Sequence, residues 1–230
     1  MSPATQVVSA SLDKPTMRSL VVETNDGIIA TAGVVEGFVA SGQSGFTIIV
    51  AALCTLVAGG VALGGGRYAE EAAEREARAA LIAEEREQLR RDPQNEFAEL
   101  VAIYEAKGLN HQLASEVAAE LTAIDALAAH VDAEHHLPLT DVRERPVIIG
   151  GAAGLAYALG ALIPMVAVIL TPDALRPEAT AVAAIAGLIA TSVFLSLMGV
   201  TRIARTLRRS LLVALVAAAL SLLTGWALQP

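Results

Sequence analysis

Val57-Ala58-Gly59-Gly60-Val61-Ala62-Leu63-Gly64-Gly65-Gly66 runs without a break into Arg67-Tyr68-Ala69-Glu70-Glu71-Ala72-Ala73-Glu74-Arg75-Glu76. The first half is a sequence for hydrocarbon and the second is a sequence for water. No proline separates them, so one helix is expected to leave a bilayer here and continue into solvent. The charged character persists from Ala69 to Asp141, and long runs of Ala, Val, Leu, Ile and Gly flank it on both sides. The fold class read from this pattern is an all-α integral membrane protein with a soluble helical domain inserted in its middle.

Composition supports lipid as the main solvent. Of the 230 residues, 54% are hydrophobic, and the mean hydropathy is +0.56. A soluble domain of this length needs less apolar material to fill its core. Aromatics make up only 3%, so the apolar mass is small and aliphatic, as in membrane helices that pack through Ala and Gly. Between Arg67 and Arg145 there are 18 acids against 9 Lys and Arg, and all four histidines fall there. An acidic domain favours cations and excludes nucleic acid as a partner. Cys54 is the single cysteine, so no thiolate metal site or disulfide can be built within one chain. The N-terminal stretch reads as a polar tail without a signal peptide.

Five apolar segments have the length of a bilayer crossing: 20–41, 45–66, 147–170, 180–200 and 210–228. The domain plan is a flexible tail over 1–19, spans 1 and 2 over 20–66, a cytosolic acidic domain over 67–145, and spans 3 to 5 over 146–230. Basic residues set the orientation. Lys14, Arg18, Arg67, Arg75, Arg78, Arg143, Arg145, Arg202, Arg205, Arg208 and Arg209 fall on one side, whereas Arg176 stands alone on the other. The positive-inside rule then places the N-terminus and acidic domain in the cytoplasm and the C-terminus outside. In a prokaryotic chain the membrane is the plasma membrane.

The acidic segment divides into three helices. Asp92-Pro93 ends the first, Gly108 ends the second near Ala106, and Asn110 caps the third, which runs to about His135. Leu113, Val117, Leu121, Ile124 and Leu127 recur at helical spacing and predict its buried face.

Several carboxylates could handle a cation. Asp26 and Glu36 lie in the first span, where an ionised acid costs on the order of ~3 kcal/mol and persists by pairing, protonation or facing a cavity. Oxygen ligands there suit Mn²⁺ and Fe²⁺, and their protonation could couple ion release to a proton gradient. In the acidic segment Glu96 and Glu99 lie one turn apart, Glu85 lies across the Asp92-Pro93 bend, and His130 and Glu134 share a helix face. Together they form a candidate divalent-metal site. His135 and His136 read as solvent-exposed. No nucleophile elbow, phosphate loop, zinc-knuckle spacing or Glu-x-x-His pair occurs, so the chain does not read as an enzyme.

Asn25-Asp26-Gly27-Ile28-Ile29-Ala30-Thr31 with Gly33-Val34-Val35 resembles the first-span motif of the vacuolar iron transporter family. Asp92-Pro93, Glu96, Glu99-Leu100, Ile103-Tyr104 and Lys107-Gly108-Leu109 resemble its cytosolic metal-binding domain, as do Ala118 to Leu121 and Asp125 to His130. Ala158-Leu159-Gly160-Ala161-Leu162-Ile163-Pro164 resembles its third span. The likeness runs from about Asn25 to Leu170; the last two spans match only in character. The resemblance implies five spans, a homodimer with its pore between protomers, and export of Fe²⁺ or Mn²⁺ in exchange for protons, with no permanently bound cofactor. It gives Asp26 the pore carboxylate role and Glu85, Glu96, Glu99 and Glu134 the collecting role, with His130 where a further family carboxylate is expected. Gly33-x-x-x-Gly37 permits close helix approach and is compatible with a dimer.

The chain also departs from the family pattern. Leu63 replaces a Met, Arg67 replaces a Glu, and Gln88 replaces a collecting carboxylate, whereas Glu36 is an acid the pattern does not require. Loss of the thioether weakens a preference for Fe²⁺ over harder cations, and Arg67 is expected to repel a dication. These departures motivate one alternative, a membrane protein of the same fold that binds metal or a partner without transporting.

Overall fold

The computed structural model describes residues 14–137, 145–199 and 203–229. Most of the expected tail (1–13), the Pro138 boundary and the basic residues Arg143 and Arg202 lie outside the described residues. The described chain is helical throughout, with no strand among these residues. It contains α1 (Lys14–Ala40), α2 (Gly45–Arg91), α3 (Pro93–Ala106), α4 (His111–His135), α5 (Pro146–Leu170), a 3-10 turn (Asp173–Leu175), α6 (Arg176–Leu197) and α7 (Ile203–Ala227). These fall into two compact units: one holds the chain to Ala69 and from Arg145 onward, and the other holds Glu70–Glu144.

In the first unit α1 packs against α5, α6 and α7. It is less apolar than α5, α6 and α7, which all pack on it. Glu23, Asn25 and Thr31 on α1 are all buried. The outer helices turn Val57, Val61, Leu215 and Val216 outward, each more than half exposed. An apolar surface of that kind is stable against lipid tails but not against water. Among the described residues, four helices are long and apolar enough to cross a membrane: α2, α5, α6 with the turn before it, and α7. α1 has 27 residues, but Glu23, Asn25, Asp26 and Glu36 lower its hydropathy.

Glycine sets the helix spacing. A Cβ on Gly27 would collide with the Tyr157 carbonyl oxygen, and one on Gly160 with the Thr24 carbonyl oxygen, so the α1 and α5 backbones touch. Gly33 and Gly37, the expected dimer motif, are used inside the chain. A Cβ on either would lie 3.1 Å from Ser221 of α7. The turn from α1 to α2 requires Gly42, whose φ is +73°. Ser44 then caps α2, its Oγ accepting from Thr47 N at 3.3 Å.

In the second unit, Asp92 caps α3 by accepting from Asn95 N at 3.1 Å, with Pro93 at the first helical position. Gly108 closes α3 at φ +102°. Asn110 caps α4 by accepting from Leu113 N at 3.0 Å. α4 is broken within its length. Asp125 takes φ −162°, ψ 99°, and its carboxylate accepts from Ala128 N at 3.0 Å, starting the helix afresh.

The buried face of α4 differs from the expected one. The core is Leu100, Val101, Ala114, Ala118 and Ala133, with Phe97, Ile103, Tyr104, Leu109 and Ala129 packed around it. Leu113 is 47% exposed and Ile124 80% exposed. Small Ala side chains let α3 and α4 approach closely; Leu113 and Ile124 turn outward, and Val117, Leu121 and Leu127 are half-buried.

Candidate metal centre

Three helices of the acidic unit bring polar side chains to one buried point. α2 supplies Glu85, α3 supplies Glu96, and the last turns of α4 supply His130 and Glu134. One donor atom from each lies within 4.8 Å of all the others. His130 Nδ1 is 3.3 Å from Glu85 Oε1, 3.4 Å from Glu134 Oε1 and 3.7 Å from Glu96 Oε2. Glu85, Glu96 and His130 are buried, and Glu134 is partly so.

Local structure explains this convergence. The Asp92 cap fixes where α3 starts, and that start places Glu96 in the first turn, facing inward. The Asp125 restart sets a new helical phase, so His130 and Glu134, four residues apart, share the inward face. Burying acids together is costly, and the site shows it. Burial pushes the Glu85 carboxyl above its ordinary range; Glu134 and Glu96 push the same way, and His130 opposes them. Burial also raises Glu96, with Glu99 and Glu134 adding to the effect against His130.

The donor set fits a divalent cation. Buried polar atoms are normally hydrogen-bonded. Here Glu85 Oε1, which faces His130 Nδ1, is buried without a hydrogen-bond partner. Bonds of about 2.0–2.2 Å from a first-row metal to N and O ligands put neighbouring donors about 3–4 Å apart, which matches the separations around His130 Nδ1. Three carboxylates and an imidazole offer the oxygen and nitrogen ligands that Fe²⁺, Co²⁺, Zn²⁺ and Mn²⁺ accept.

The structure treats the other residues singled out from sequence differently. Glu99 is exposed on α3, one turn past Glu96, and is outside the four-residue group. Asp26 is at the surface of α1 in the single chain, while Glu36 is partly buried with Oε1 lacking a hydrogen-bond partner. Ten residues apart on one helix, they are separated by about 15 Å along its axis and do not form a single site. His135, expected to be solvent-exposed, is exposed and stands at the rim of the cluster. Polar contacts beside Asp26 join α1 to α6 and α7: Asn25 accepts from Thr191 Oγ1 at 2.7 Å and donates to Ser210 Oγ at 3.4 Å. Spacing does not mark Asn25; its burial does. Arg67 does not present a bare charge: it pairs with Glu23 of α1.

Comparison with known proteins accords with this geometry. A vacuolar iron transporter from Acanthamoeba castellanii is 31% identical over 150 residues, which is 65% of this chain and 54% of that protein. The chain therefore spans about half the length of the curated relative it matches. The model of the VIT family matches residues 17–226, and so covers the last two apolar helices, where the sequence resemblance was one of character alone. With the match running through all the long apolar helices and the acidic insert, the chain belongs to the VIT family.

Proposed function

We propose that this protein moves a divalent metal ion, Fe²⁺ or Mn²⁺, across a lipid bilayer, exporting it from the cytosol in exchange for protons. The observation that carries the reading is the buried group of Glu85, Glu96, His130 and Glu134 in a chain with four apolar helices of spanning length. In this reading α1 is the fifth span, and its acids Asp26 and Glu36 serve the ion path. The acidic unit lies in the cytosol with the N-terminus, and the C-terminus lies outside. The working form is a homodimer, as the family resemblance implies. The cytosolic carboxylates raise the local cation concentration, and acids that exchange metal for protons couple the two fluxes.

The test is metal-dependent proton flux in proteoliposomes. Asp26→Ala is expected to abolish flux while metal binding to the detergent-solubilised protein persists. Glu85→Gln/Glu96→Gln is expected to weaken that binding and slow flux at low metal concentration. Undiminished flux in Asp26→Ala removes Asp26 from the mechanism.

One observation favours a second reading, metal binding without transport. Leu63 and Arg67 stand where the family pattern has a Met and a Glu, and Arg67 is engaged by Glu23. Binding by the purified wild-type protein without uptake into liposomes selects this alternative.

A further inference from the structure

His135 completes a pattern that the four-residue group leaves partial. Its Nε2 lies 3.9 Å from Glu85 Oε2 and 3.7 Å from Glu134 Oε2. Across the cluster, His130 Nδ1 lies 3.3 Å from Glu85 Oε1 and 3.4 Å from Glu134 Oε1. Each of these two carboxylates therefore turns one oxygen to each imidazole. The side chain of His130 is 1% exposed and that of His135 is 33% exposed, so one imidazole lies at the bottom of the site and the other at its mouth. Independently, Glu85 Oε1, the oxygen turned to His130, is buried without a hydrogen-bond partner.

We propose that His135 is a further metal ligand of this site, and that the pair His130 and His135 makes the site prefer Fe²⁺, Co²⁺ and Zn²⁺ over Mn²⁺. The inference rests on the acidic unit binding metal, as proposed above, and adds a ligand and a selectivity to it. The distances allow it: with bonds near ~2.1 Å, octahedral donors lie about 3.0 Å apart when adjacent and about 4.2 Å apart when opposite. The His135 contacts, 3.9 and 3.7 Å, lie between those two values, and His135 stands outside the group whose donors are all within 4.8 Å of one another, so its partly exposed ring must swing inward to join an ion held by Glu85 and Glu134. The chemistry gives the selectivity. Imidazole suits Fe²⁺, Co²⁺ and Zn²⁺, carboxylate alone suits Mn²⁺, and binding strengthens from Mn²⁺ through Fe²⁺ to Co²⁺. A site with two imidazoles widens that gap beyond what three carboxylates give. The exposed position of His135 lets it meet an ion arriving from solvent before the buried donors close on it.

The test is equilibrium binding of Mn²⁺, Co²⁺ and Zn²⁺ to the full-length detergent-solubilised protein at fixed neutral pH, with the visible spectrum of bound Co²⁺ as a second readout. Wild type, His135→Ala, His135→Gln and Glu85→Gln/Glu96→Gln are compared, each first checked for unchanged elution as a folded particle. His135→Ala and His135→Gln are expected to weaken Co²⁺ and Zn²⁺ about tenfold and Mn²⁺ less than about threefold, and to shift the Co²⁺ spectrum. An equal loss for all three ions, or an unchanged Co²⁺ spectrum, overturns the role of His135. If His135→Ala leaves binding intact while Glu85→Gln/Glu96→Gln loses it, the collecting site stands and this inference fails. If wild type binds none of the three, both fail.

Discussion

Arg67 on α2 reaches Glu23 on α1: its Nε lies 3.6 Å from Glu23 Oε1, and its Nη2 donates to Ser19 Oγ at 3.1 Å. Ser19 and Glu23 are one turn apart, so the guanidinium lies along one face of α1, a turn before Asp26. The positive charge that was expected to repel a dication is matched by a buried acid. An Arg in place of the family Glu is thus answered by an acid on the neighbouring helix.

This pairing predicts a measurable coupling. Arg67→Gln and Glu23→Gln should each lower thermal stability in detergent, and the double variant should lose less than the sum. A coupling of about 0.5–3 kcal/mol is expected for directly contacting residues. Strict additivity of the two losses would show that the two side chains act independently.

Glu85→Gln should separate stability from metal affinity. Desolvation raises the Glu85 pKa, so the ionised form is held at a cost. Without metal, the neutral amide should melt at the same temperature as wild type or higher at neutral pH. With Co²⁺ or Fe²⁺ the order should reverse, because a ligand has been removed, and affinity should fall at least about tenfold, or about 1.4 kcal/mol. Parallel loss of both properties would make Glu85 a structural residue.

The same acids fix a dependence on pH. Glu85 and Glu96 titrate above their ordinary range, so the folded protein holds their protons to higher pH than the unfolded chain does. Their contribution to metal-free stability is therefore greatest below the unfolded pKa, about 4.3. It is lost as pH rises through the folded values. Metal must displace those protons to bind. The rise in melting temperature on adding metal should accordingly be small in acid and grow toward neutral pH. A metal effect that shrinks over that interval would contradict the assignment.

Glycine substitutions should sort by helix contact. Gly27→Ala and Gly160→Ala force a methyl into the α1–α5 backbone contact, and the purified yield of folded protein should collapse. Gly65→Ala and Gly151→Ala place a methyl where nothing lies within 4 Å. They should be tolerated, with helix propensity favouring Ala by up to about 1 kcal/mol. Size-exclusion profiles of the four variants give the comparison.

Much of this architecture was legible in the sequence because local chemistry decides it. Asp92-Pro93, Gly108 and Asn110 end or start helices through their own backbone and side-chain bonds, and α3 and α4 begin and end close to where those residues put them. The helical E-x-x-E spacing marked Glu96 and Glu99, but only packing decides that Glu96 turns inward and Glu99 outward. The break at Asp125 escaped notice because an Asp inside a charged helix carries no spacing signal. With it went the phase of the stretch that carries His130 and Glu134; the core through Ala114 and Ala118, with Ile124 80% exposed, lies before the break and follows from packing against α3. Two adjacent histidines at a helix end read as surface, and His135 is exposed; only packing brings its ring to the edge of the cluster. Glu23 and Asn25 drew no attention because their burial comes from helices distant in sequence.

The interruption at Asp125 also makes the ligand-bearing end of α4 a separable piece. His130, Glu134 and His135 all lie on the short stretch after it, which has its own cap at the start and ends at His136 in a left-handed turn with φ +54°. Those three side chains tilt or shift together, and Ala129 and Ala133 beside them tie that movement to Ala114, Ala118 and Leu100 in the core shared with α3. If the acidic unit binds metal as proposed, a change of ion preference written into this stretch must also keep Ala129 and Ala133 packed in that core.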